Sequence, residues 1–481
     1  MMALGASTYA LAAAAACSNT VQGTLALVTG PDDGFAQTPK PTSLIVQLIG
    51  PDATTKVASV ALPTDAALTL PPEPTSNIDI IQVTGFDDAD AAVVSGTSLP
   101  FDLGAVTSAT LNLFVQRTGQ FSRLPSADGG TATLGTVPSA SPLLTTYFSQ
   151  FLLIADGTGK SAATQVYDTF LWQVASAAPT LPIAPLSIAY VDGYTGTDAA
   201  TDAGSVAAFL TLGANGSASW LNLTDSTSVD AALAFDAMAP QNVAVPGDFS
   251  AVAGGQTIYT QSGMSYIVGA TRLTGPPTPG ILRISPTGVL SWANLVHARL
   301  GAAATYVEGQ GLYVFGGSAA SDGGSGAAGI ESLSDIQFSA TVVASVPTDT
   351  TKGAGALALD DGSVLLVGGV LGNRQPAPVR LYSPTFLGGG GDAGSAWASL
   401  PVTFVSTQVF GLTATTSPGG ASAVVVGTES SSATSAYLLT PMTAKLIPFR
   451  VPRSNARALI LPNGSLGVVG GDSGTLESFI R

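Results

Sequence analysis

The first hundred residues of the chain contain short runs in which apolar and polar residues alternate. The alternation is clearest in SLIVQLI (43–49) and IDIIQVT (78–84), and Pro or Gly closes most of the runs. Because successive side chains of a strand point to opposite faces, this pattern predicts half-buried β-strands. The predicted strands are 23–29, 43–49, 56–62, 67–70, 78–84, 92–95 and 110–116. About seven strands in roughly a hundred residues are typical of a small antiparallel β-sandwich.

After residue 118 the dominant pattern is a repeat. One unit consists of an apolar strand, a polar turn, a second apolar strand and a double glycine. The clearest copies are GLYVFGG, SVLLVGG and SLGVVGG, which end at Gly317, Gly369 and Gly471. The weaker copies end at Gly157, Gly193, Gly269 and Gly427. The mean spacing of these endings is about 52 residues, which indicates a repeat architecture.

The tryptophans give a second, independent register. All four stand shortly before an apolar residue, at Trp172, Trp220, Trp292 and Trp397. The gaps in this register are filled by Phe121, Phe338 and a position near Lys445, which brings the count to seven. An aromatic side chain at such intervals buries a large area between neighbouring sheets. We therefore predict that it marks the outer strand of each unit.

The two registers together resemble kelch repeats of the galactose-oxidase-like type, over about 360 residues. The resemblance implies an all-β protein with a kelch-type β-propeller, in which the inner strands end in the double glycine and the outer strand carries the aromatic residue. Both registers count seven units, so we predict seven blades. Six blades is the alternative, because the copies at Gly193 and Gly427 are degenerate and the step from Gly193 to Gly269 is long.

The repeat is out of phase at its two ends. The first outer strand, around Phe121, has no inner strands before it, and the last unit stops after a third strand. We therefore predict that the Phe121 strand completes the last blade and closes the ring, which removes exposed sheet edges. The predicted domains are a β-sandwich over 18–117 and a propeller over 118–481. The sandwich resembles the immunoglobulin-like or carboxypeptidase-regulatory-like modules that precede larger domains in exported proteins.

Residues 1–17 resemble a bacterial lipoprotein signal peptide. An apolar run ends in three alanines (14–16), and Cys17, the only cysteine of the chain, follows at once. The resemblance implies lipidation of the Cys17 thiol, and Ser18 in place of Asp implies the outer membrane or cell surface. The pattern departs from the family at Ala14, where Leu is usual, and in lacking an early Lys or Arg. The alternatives are an ordinary signal peptide, which gives a secreted or periplasmic protein, and a cytosolic segment.

Composition narrows the range of partners. The chain has 16 Lys and Arg against 31 Asp and Glu, a formal charge of −15, so phosphate backbones should repel it and we expect no nucleic acid. After the N-terminus, no stretch has the roughly 18 unbroken apolar residues that a spanning helix needs. We therefore expect membrane attachment only through an N-terminal lipid anchor. We expect a monomer, with an unknown protein or glycan as its partner.

Histidine and cysteine are too scarce for most metal chemistry. Galactose-oxidase-like copper enzymes use two histidines, two tyrosines and a cysteine joined to one tyrosine. Here His297 is the only histidine and Cys17 lies at the signal boundary, which excludes that chemistry and the usual Cys and His zinc sites. We predict no cofactor, no metal and no catalytic residue, and we interpret His297 as a packing or surface residue.

Three short motifs have the letters of known sites in the wrong context. GDSG around Ser473 occurs in trypsin-like proteases, but here it follows a double glycine of the repeat and Thr475 replaces a further glycine. The dinucleotide-type GSGAAG (324–329) has no βαβ unit around it, and GKS (159–161) has Ile154 where a P-loop needs glycine. We interpret all three as turns or loops.

Carboxylates offer two further hypotheses. Asp87, Asp88 and Asp90 supply the oxygen ligands that calcium prefers, although an acidic turn is the commoner interpretation. The segment Ser126–Gly130 is a near miss to the Asp-box of sialidase-type propellers, with Ala132 in place of the expected threonine.

Three arginines precede or enter predicted inner strands near one face of the propeller. They are Arg299, Arg453 and Arg457. One interpretation is a shared surface for an acidic or polar ligand, and the other is salt bridges to neighbouring blades.

These inferences predict a non-enzymatic cell-envelope lipoprotein that uses its propeller as a scaffold for binding a protein or a glycan. The assignment rests on analogy at the level of the fold, because propellers bind through loops held on a rigid ring. The alternative is an extracytoplasmic hydrolase that acts on glycans with carboxylates or a serine.

Overall fold

Our computed structural model describes most of the chain after residue 23. The described residues are 24–50, 54–62, 68–69, 78–102, 110–135, 142–194, 206–223, 235–236, 248–319, 329–337, 339–343, 351–372, 374–383, 397–403, 408–417, 420–428, 433–440, 442–471 and 474–481.

The N-terminal strands form two sheets. The strands are β1 (Thr24–Val28), β2 (Ser43–Ile49), β3 (Thr54–Ala61), β4 (Leu68–Thr69), β5 (Ile78–Phe86), β6 (Ala92–Thr97), β7 (Phe101–Asp102), β8 (Thr110–Phe114) and β9 (Gln116–Arg117). The first sheet has the order β4-β1-β8, with β1 and β8 parallel. The second has the order β3-β2-β5-β6-β9, with β7 beside β5. One hydrophobic cluster joins the two sheets, with Leu25, Leu44, Ile81 and Leu111 among its members.

The remaining strands form seven four-stranded antiparallel sheets, which we call blades 1 to 7. Blade 1 consists of β11 (Pro142–Tyr147), β12 (Phe151–Asp156), β13 (Thr164–Asp168) and β14 (Gln173–Val174). Blade 2 consists of β15 (Ser187–Tyr194), β16 (Val206–Leu212), β17 (Ala218–Leu223) and β18 (Phe235–Asp236). Blade 3 consists of β19 (Gln256–Tyr259), β20 (Ser265–Val268), β21 (Thr278–Ile284) and β22 (Leu290–Arg299).

Blades 4 to 7 repeat this arrangement. Blade 4 consists of β23 (Ala303–Val307), β24 (Gly311–Phe315), β25 (Ile330–Leu333) and β26 (Thr341–Val343). Blade 5 consists of β27 (Gly355–Ala358), β28 (Val364–Val367), β29 (Pro378–Tyr382) and β30 (Trp397–Thr403). Blade 6 consists of β31 (Gln408–Ser417), β32 (Gly420–Thr428), β33 (Thr434–Leu439) and β34 (Ala444–Ile447). Blade 7 consists of β35 (Arg457–Ile460), β36 (Leu466–Val469), β37 (Leu476–Ile480) and the early strand β10 (Gln120–Arg123).

The blades close into a ring. The first strands of successive blades contact one another in the order β11, β15, β19, β23, β27, β31 and β35, and β35 contacts β11 again. Among the described connections, three contain a single-turn 3₁₀ helix: Ala214–Gly216, Phe249–Ala251 and Gly269–Thr271. The protein is therefore an all-β, seven-bladed β-propeller, as predicted, and the alternative of six blades is wrong.

The second strand of a blade is buried on both faces because a blade packs on each side of it. Every residue of β12, β20, β24, β28 and β36 is buried, and each of these strands is a short apolar run. Seven hydrophobic clusters fill the seven spaces between neighbouring blades. Since each fully buried Val or Leu stabilises the fold by about 1.5–3 kcal/mol, these clusters hold the ring together.

The double glycines have the backbone conformation that the repeat requires. Both glycines of a pair have positive φ, with 60° at Gly316, 86° at Gly317, 78° at Gly470 and 80° at Gly471. A Cβ atom added at Gly316 would lie 2.5 Å from the carbonyl oxygen of Thr351 in the next connection. Glycine is therefore needed at this point both for the turn and for the close approach of neighbouring blades.

Blade 2 departs from the predicted register. Gly193 lies in β15, the first strand of its blade, whereas the second strand β16 ends just before Gly213. Trp220 lies in the third strand, β17, not in the outer one. These two assignments were wrong because LSIAYVDG has the composition of a second strand. With Gly213 in place of Gly193, the long step before Gly269 disappears.

The other aromatic positions agree with the predicted outer strands. Trp292, Trp397, Phe121 and the position of Lys445 lie in fourth strands, and Trp172 immediately precedes one. Phe338 lies outside the described residues.

Blade 7 combines strands from distant parts of the sequence. Phe121 of β10 lies directly opposite Phe479 of β37 in an antiparallel pair, with ring centroids 5.3 Å apart. The Phe121 ring also lies 4.6 Å from that of Phe449, and its side chain is fully buried against blade 6. The outer strand of the last blade is thus supplied by a segment that precedes the first blade.

The N-terminal sheets contact blades 7 and 1. The Asp32 carboxylate accepts a hydrogen bond from the Arg123 side chain at 2.7 Å, and Ser478 Oγ donates to Gln116 Oε1 at 2.8 Å. Trp172 Nε1 donates to the Asn112 carbonyl at 3.3 Å. The immunoglobulin-like or carboxypeptidase-regulatory-like interpretation of these sheets, and the domain division at 117, stay predictions.

Candidate ligand-binding face

One end of the ring carries the turns that follow the first and third strands of the blades. We call this end the turn face; among its described turns are 148–150, 169–172, 260–264, 285–289, 308–310, 334–337, 359–363 and 461–465. Neighbouring turns contact one another, since Gln261 N donates to Glu308 Oε1 at 2.8 Å and Gly193 N donates to the Pro286 carbonyl at 3.2 Å. The double glycines lie at the other end, which we call the double-glycine face.

Tyr259 lines the central channel where it opens on the turn face. Its hydroxyl accepts a hydrogen bond from Tyr190 N at 3.2 Å and lies 2.8 Å from Thr145 Oγ1. One side chain therefore joins the first strands of blades 1, 2 and 3. The side chain is 45% exposed to the channel, yet the surrounding blades enclose the hydroxyl, and burial raises the pKa of Tyr259.

An aromatic cluster lies between blades 1 and 2, beside Tyr190. Tyr147, the last residue of β11, stacks on Phe151 with ring centroids 5.0 Å apart and meets Phe209 edge-on at 5.3 Å. The Tyr190 ring lies 5.6 Å from Phe209 and 6.1 Å from Phe148. Phe148 stands at the tip of the turn, with 40% of its side chain exposed. The cluster thus presents buried rings below and exposed rings at the surface.

The backbone at Phe148 is strained. Phe148 and Ser149 both have φ of 50°, in the left-handed region that residues with a Cβ avoid at a cost of about 1–2 kcal/mol each. The strain holds the Phe148 ring at the surface of the turn.

An exposed carboxylate completes the group. Asp192 lies in an irregularity of β15, between Val191 and Tyr194, where the pairing with β16 shifts register. Such bulges redirect side chains and are common beside functional sites. Asp192 accepts a hydrogen bond from the Tyr190 hydroxyl, and burial together with this bond raises the pKa of Tyr190. We call Phe148, Tyr190, Asp192 and Tyr259 the aromatic mouth.

A buried carboxylate supports the turn beneath the mouth. Asp168 accepts hydrogen bonds from Phe170 N at 2.8 Å, Leu171 N at 3.0 Å and Gln150 Nε2 at 3.1 Å. Burial raises the pKa of Asp168. The nearby Tyr147 hydroxyl has no hydrogen-bond partner among the described residues, and burial raises its pKa as well.

A second polar group lies on the turn face between blades 3 and 4. The exposed Asp335 carboxylate accepts hydrogen bonds from Tyr266 Oη at 2.5 Å and Tyr306 Oη at 2.8 Å. Arg283 lies over the Tyr266 ring, 5.9 Å from its centroid, and donates to the Ser334 carbonyl. The two blades are therefore joined at this face through one carboxylate.

Two of the predicted arginines are buried in ion pairs. Arg299 Nη2 donates to Glu331 Oε1 at 2.6 Å, and Arg453 Nη2 donates to Glu477 Oε1 at 3.0 Å. Each arginine also donates through Nη1, at 2.9 Å, to the carbonyl of the first glycine of a double glycine. All four side chains are fully buried. The ligand-surface interpretation is therefore wrong for both arginines, and the salt-bridge interpretation is confirmed.

Arg457 has a different environment. It begins β35, the first strand of blade 7, and its Nη1 donates to the Asn455 carbonyl at 3.3 Å. Burial lowers the pKa of Arg457 to about 10. Its role toward a ligand stays a prediction.

The other sequence motifs lie in turns or outside the described residues. His297 Nδ1 lies 3.0 Å from Glu331 Oε1, beside the Arg299 pair. Asp87 Oδ1 accepts from Ala89 N and Ala91 N, so it caps a turn, and Asp128 accepts from Ser126 and Gly130. Ser161 N donates to Asp156 in another turn. Outside the described residues lie Cys17, Ser473, Gly324 and Gly326.

Within the described part of the chain, no three or more His, Cys, Asp and Glu side chains are grouped so as to hold a metal ion. The same residues include no helix of the length and apolarity that crossing a membrane requires.

Solved structures resemble the chain only loosely. BBS1N in complex with ARL6DN is 13% identical with a TM-score of 0.41, and the match covers 72% of this chain and 94% of that chain. A chain of the mitotic checkpoint complex is 13% identical with a TM-score of 0.41, covering 76% and 95%. A glucose dehydrogenase is 12% identical with a TM-score of 0.33, covering 75% and 99%. No protein-family model and no curated protein matches the sequence. TM-scores this low carry no argument about function.

Proposed function

We propose that the chain is a non-enzymatic cell-envelope lipoprotein whose kelch-type propeller binds a protein or a glycan through the turn face. The observation that carries the proposal is the aromatic mouth, where Tyr190 contacts the exposed Phe148 ring, the Tyr259 hydroxyl and the exposed Asp192 carboxylate. Aromatic rings beside a few oriented polar groups are typical of surfaces that recognise partners. The lipid anchor at Cys17, with an outer-membrane or cell-surface location, rests on the sequence resemblance.

The strained turn supports this function. The left-handed backbone at Phe148 and Ser149 costs free energy and leaves an apolar ring in water. Strain of this kind persists where surrounding structure fixes it, and it is concentrated at binding sites. The ring of seven blades supplies that fixed surrounding, so a ligand meets a preorganised surface.

The carboxylates of this region favour binding over hydrolysis. Glycan hydrolysis uses two carboxyl groups, one of them an acid that donates a proton to the substrate. Asp168 is buried and accepts three N–H hydrogen bonds, so its position serves the turn. Asp192 accepts a hydrogen bond from Tyr190 at the surface. The pair is therefore arranged for structure and recognition.

A pull-down from the native cell envelope tests the proposal. We expect the wild-type protein to retain a specific envelope component that Phe148→Ala and Asp192→Asn fail to retain. Leu446→Ala is the matched control, because Leu446 is an exposed apolar residue within β34, the outer strand of blade 6, and not in a turn of the turn face. Retention that is equal for wild type and both mouth variants would contradict binding at the turn face.

A further inference from the structure

The aromatic mouth is part of a larger acidic surface. Exposed carboxylates stand on the turn face in blades 2, 4 and 5, at Asp192, Glu308, Asp335, Asp360 and Asp361. The described turns of blades 1 to 5 on this face contain no Lys or Arg. We call these five carboxylates, together with the aromatic mouth, the acidic–aromatic face.

Exposed or half-buried cations lie at the opposite end of the ring. Lys160 follows the second strand of blade 1, Arg374 follows that of blade 5, and Lys352 precedes the first strand of blade 5. The fully buried Arg299 and Arg453 are neutralised by their glutamates. Asp248 is an exposed carboxylate at that same end, and the buried Arg283 lies near the turn face beside Asp335. The negative charge of the turn face therefore rests on its five exposed carboxylates.

The mouth has the chemistry that recognises a cation. An ammonium or guanidinium group is attracted to the face of an aromatic ring, by about 0.5–1 kcal/mol at exposed sites. Asp192 accepts a hydrogen bond from the Tyr190 hydroxyl, which fixes its orientation, and it adds a negative charge to the mouth. An anionic ligand would be repelled, and a neutral sugar would gain nothing from the four further carboxylates.

We propose that the acidic–aromatic face docks a positively charged segment of a protein, with one lysine or arginine seated in the aromatic mouth. The inference rests on the proposed binding function and specifies its partner. Carboxylates spread over three blades match a chain segment with several cations better than they match one small ligand. Complementary charge of this kind steers association and makes it sensitive to salt.

A labelled octapeptide of alternating Lys and Gly is the probe, and its affinity for the full chain is measured by fluorescence anisotropy. We expect binding to weaken steadily as salt rises from about 50 to about 300 mM, where screening shortens the reach of surface charges. The same peptide with Gln in place of Lys should not bind.

Two matched double variants distinguish the effect of the charges at the site from the effect of the net charge of the protein. Asp192→Asn with Glu308→Gln removes two charges from the face and keeps acceptors for the bonds from Tyr190 and Gln261. Asp88→Asn with Asp90→Asn removes two exposed charges from the N-terminal sheets. We expect the first variant to weaken binding about tenfold and the second less than about twofold. Phe148→Ala should weaken binding, whereas Leu446→Ala should leave it unchanged.

The outcomes distinguish this inference from the proposed function. Equal weakening by the two paired variants would mean that only the net charge attracts the peptide, which overturns the inference. Binding of cellotetraose that Phe148→Ala abolishes, without binding of the peptide, would also overturn it and leave the proposed function standing. If wild type and the mouth variants have equal affinity for the peptide, equal affinity for cellotetraose, and retain the same components of the envelope extract, both proposals are wrong.

Discussion

The ion pairs Arg299–Glu331 and Arg453–Glu477 place the same chemistry at the same position of two blades. Glu331 pairs with Val314 and Glu477 with Val468, each two residues before a double glycine. Glu331 also accepts backbone N–H bonds from β22, the outer strand of the preceding blade. Glu477 accepts such bonds from the connection that enters blade 7. In blade 5 the corresponding position, opposite Leu366, is Arg380. The ion pair thus stabilises particular blades, and the repeat does not require it in every blade.

Removing one member of a buried pair should be costly. Arg299→Met leaves the fully buried Glu331 without its cation, so we expect the free energy of unfolding to fall by about 3–5 kcal/mol in urea denaturation. Arg299→Met with Glu331→Leu should recover most of this loss, because no charge is then left buried. The control Arg374→Met, at an exposed site, should change stability by less than about 0.5 kcal/mol. A loss under about 1 kcal/mol for Arg299→Met would contradict the role of the pair.

Two glycines with the same backbone conformation separate strain from crowding. Gly309 has φ of 73° and nothing within 4 Å of an added Cβ, whereas Gly316 has φ of 60° and the Thr351 carbonyl oxygen 2.5 Å away. Gly309→Ala should therefore cost about 1–2 kcal/mol from φ alone. Gly316→Ala should cost about 1–3 kcal/mol more through the clash. Equal losses in thermal unfolding would show that crowding between blades is unimportant.

Asp168 should give stability a distinct pH dependence. Because burial raises its pKa in the folded protein, the folded state holds this proton more tightly than the unfolded chain, whose Asp pKa is about 3.9. The contribution of Asp168 to the free energy of unfolding therefore falls as the pH rises above about 4, and it levels off beyond the folded pKa. Urea denaturation of wild type and Asp168→Asn between about pH 4 and 7 measures it. A stability difference that is independent of pH would contradict the shift.

At the scale of elements, β10 is the strand whose loss should matter most. Phe121 is fully buried between Phe449 and Phe479, so Phe121→Ala should lower the free energy of unfolding by about 3–5 kcal/mol. Phe148→Ala removes the same side chain from an exposed turn and should cost under about 1 kcal/mol. Chemical denaturation compares the two. Similar losses would mean that the closing strand contributes little.

Much of the propeller could be predicted because each unit of its repeat is defined by residues that are close together in the sequence. A double glycine needs positive φ, and a doubly buried second strand needs an uninterrupted apolar run, so both are visible in GLYVFGG and SVLLVGG. Blade 2 misled the prediction because its first strand, SIAYVDGY, is as apolar as a second strand. Burial alone does not distinguish the two, and only the pairing with β16 settles the register.

The candidate site was not predictable to the same degree. Phe148, Tyr190 and Tyr259 come from three blades, and their meeting depends on how neighbouring first strands pack. The Arg299–Glu331 pair likewise depends on strand register across two blades. One signal was present in the sequence: tyrosines recur in the first strands of blades 1 to 3, with Tyr147 and Tyr259 as the last residues of β11 and β19 and Tyr190 within β15.

At the scale of the whole molecule, the proposed membrane location depends on one atom, the Cys17 sulfur. We expect Cys17→Ala to shift the protein from the membrane to the soluble fraction, because a lipid chain supplies the attachment. Globomycin, which blocks lipoprotein signal peptidase, should cause the wild-type precursor to accumulate. Wild type and Cys17→Ala are compared by fractionation and immunoblotting. Unchanged fractionation of the variant would contradict the anchor.

The pairing of Phe121 with Phe479 determines when the ring can close during folding. During synthesis or export from the N-terminus, β10 emerges before every other strand of the ring, and its partner β37 emerges after nearly all of them. Until β37 has emerged, blade 7 is incomplete, and the first strands of blades 1 and 6 each lack a neighbouring blade on one side. A topology whose decisive contact is so distant in sequence folds slowly and leaves strand edges open to aggregation. The protein should therefore depend on holding factors until its ring closes, more than an open repeat array of the same length does.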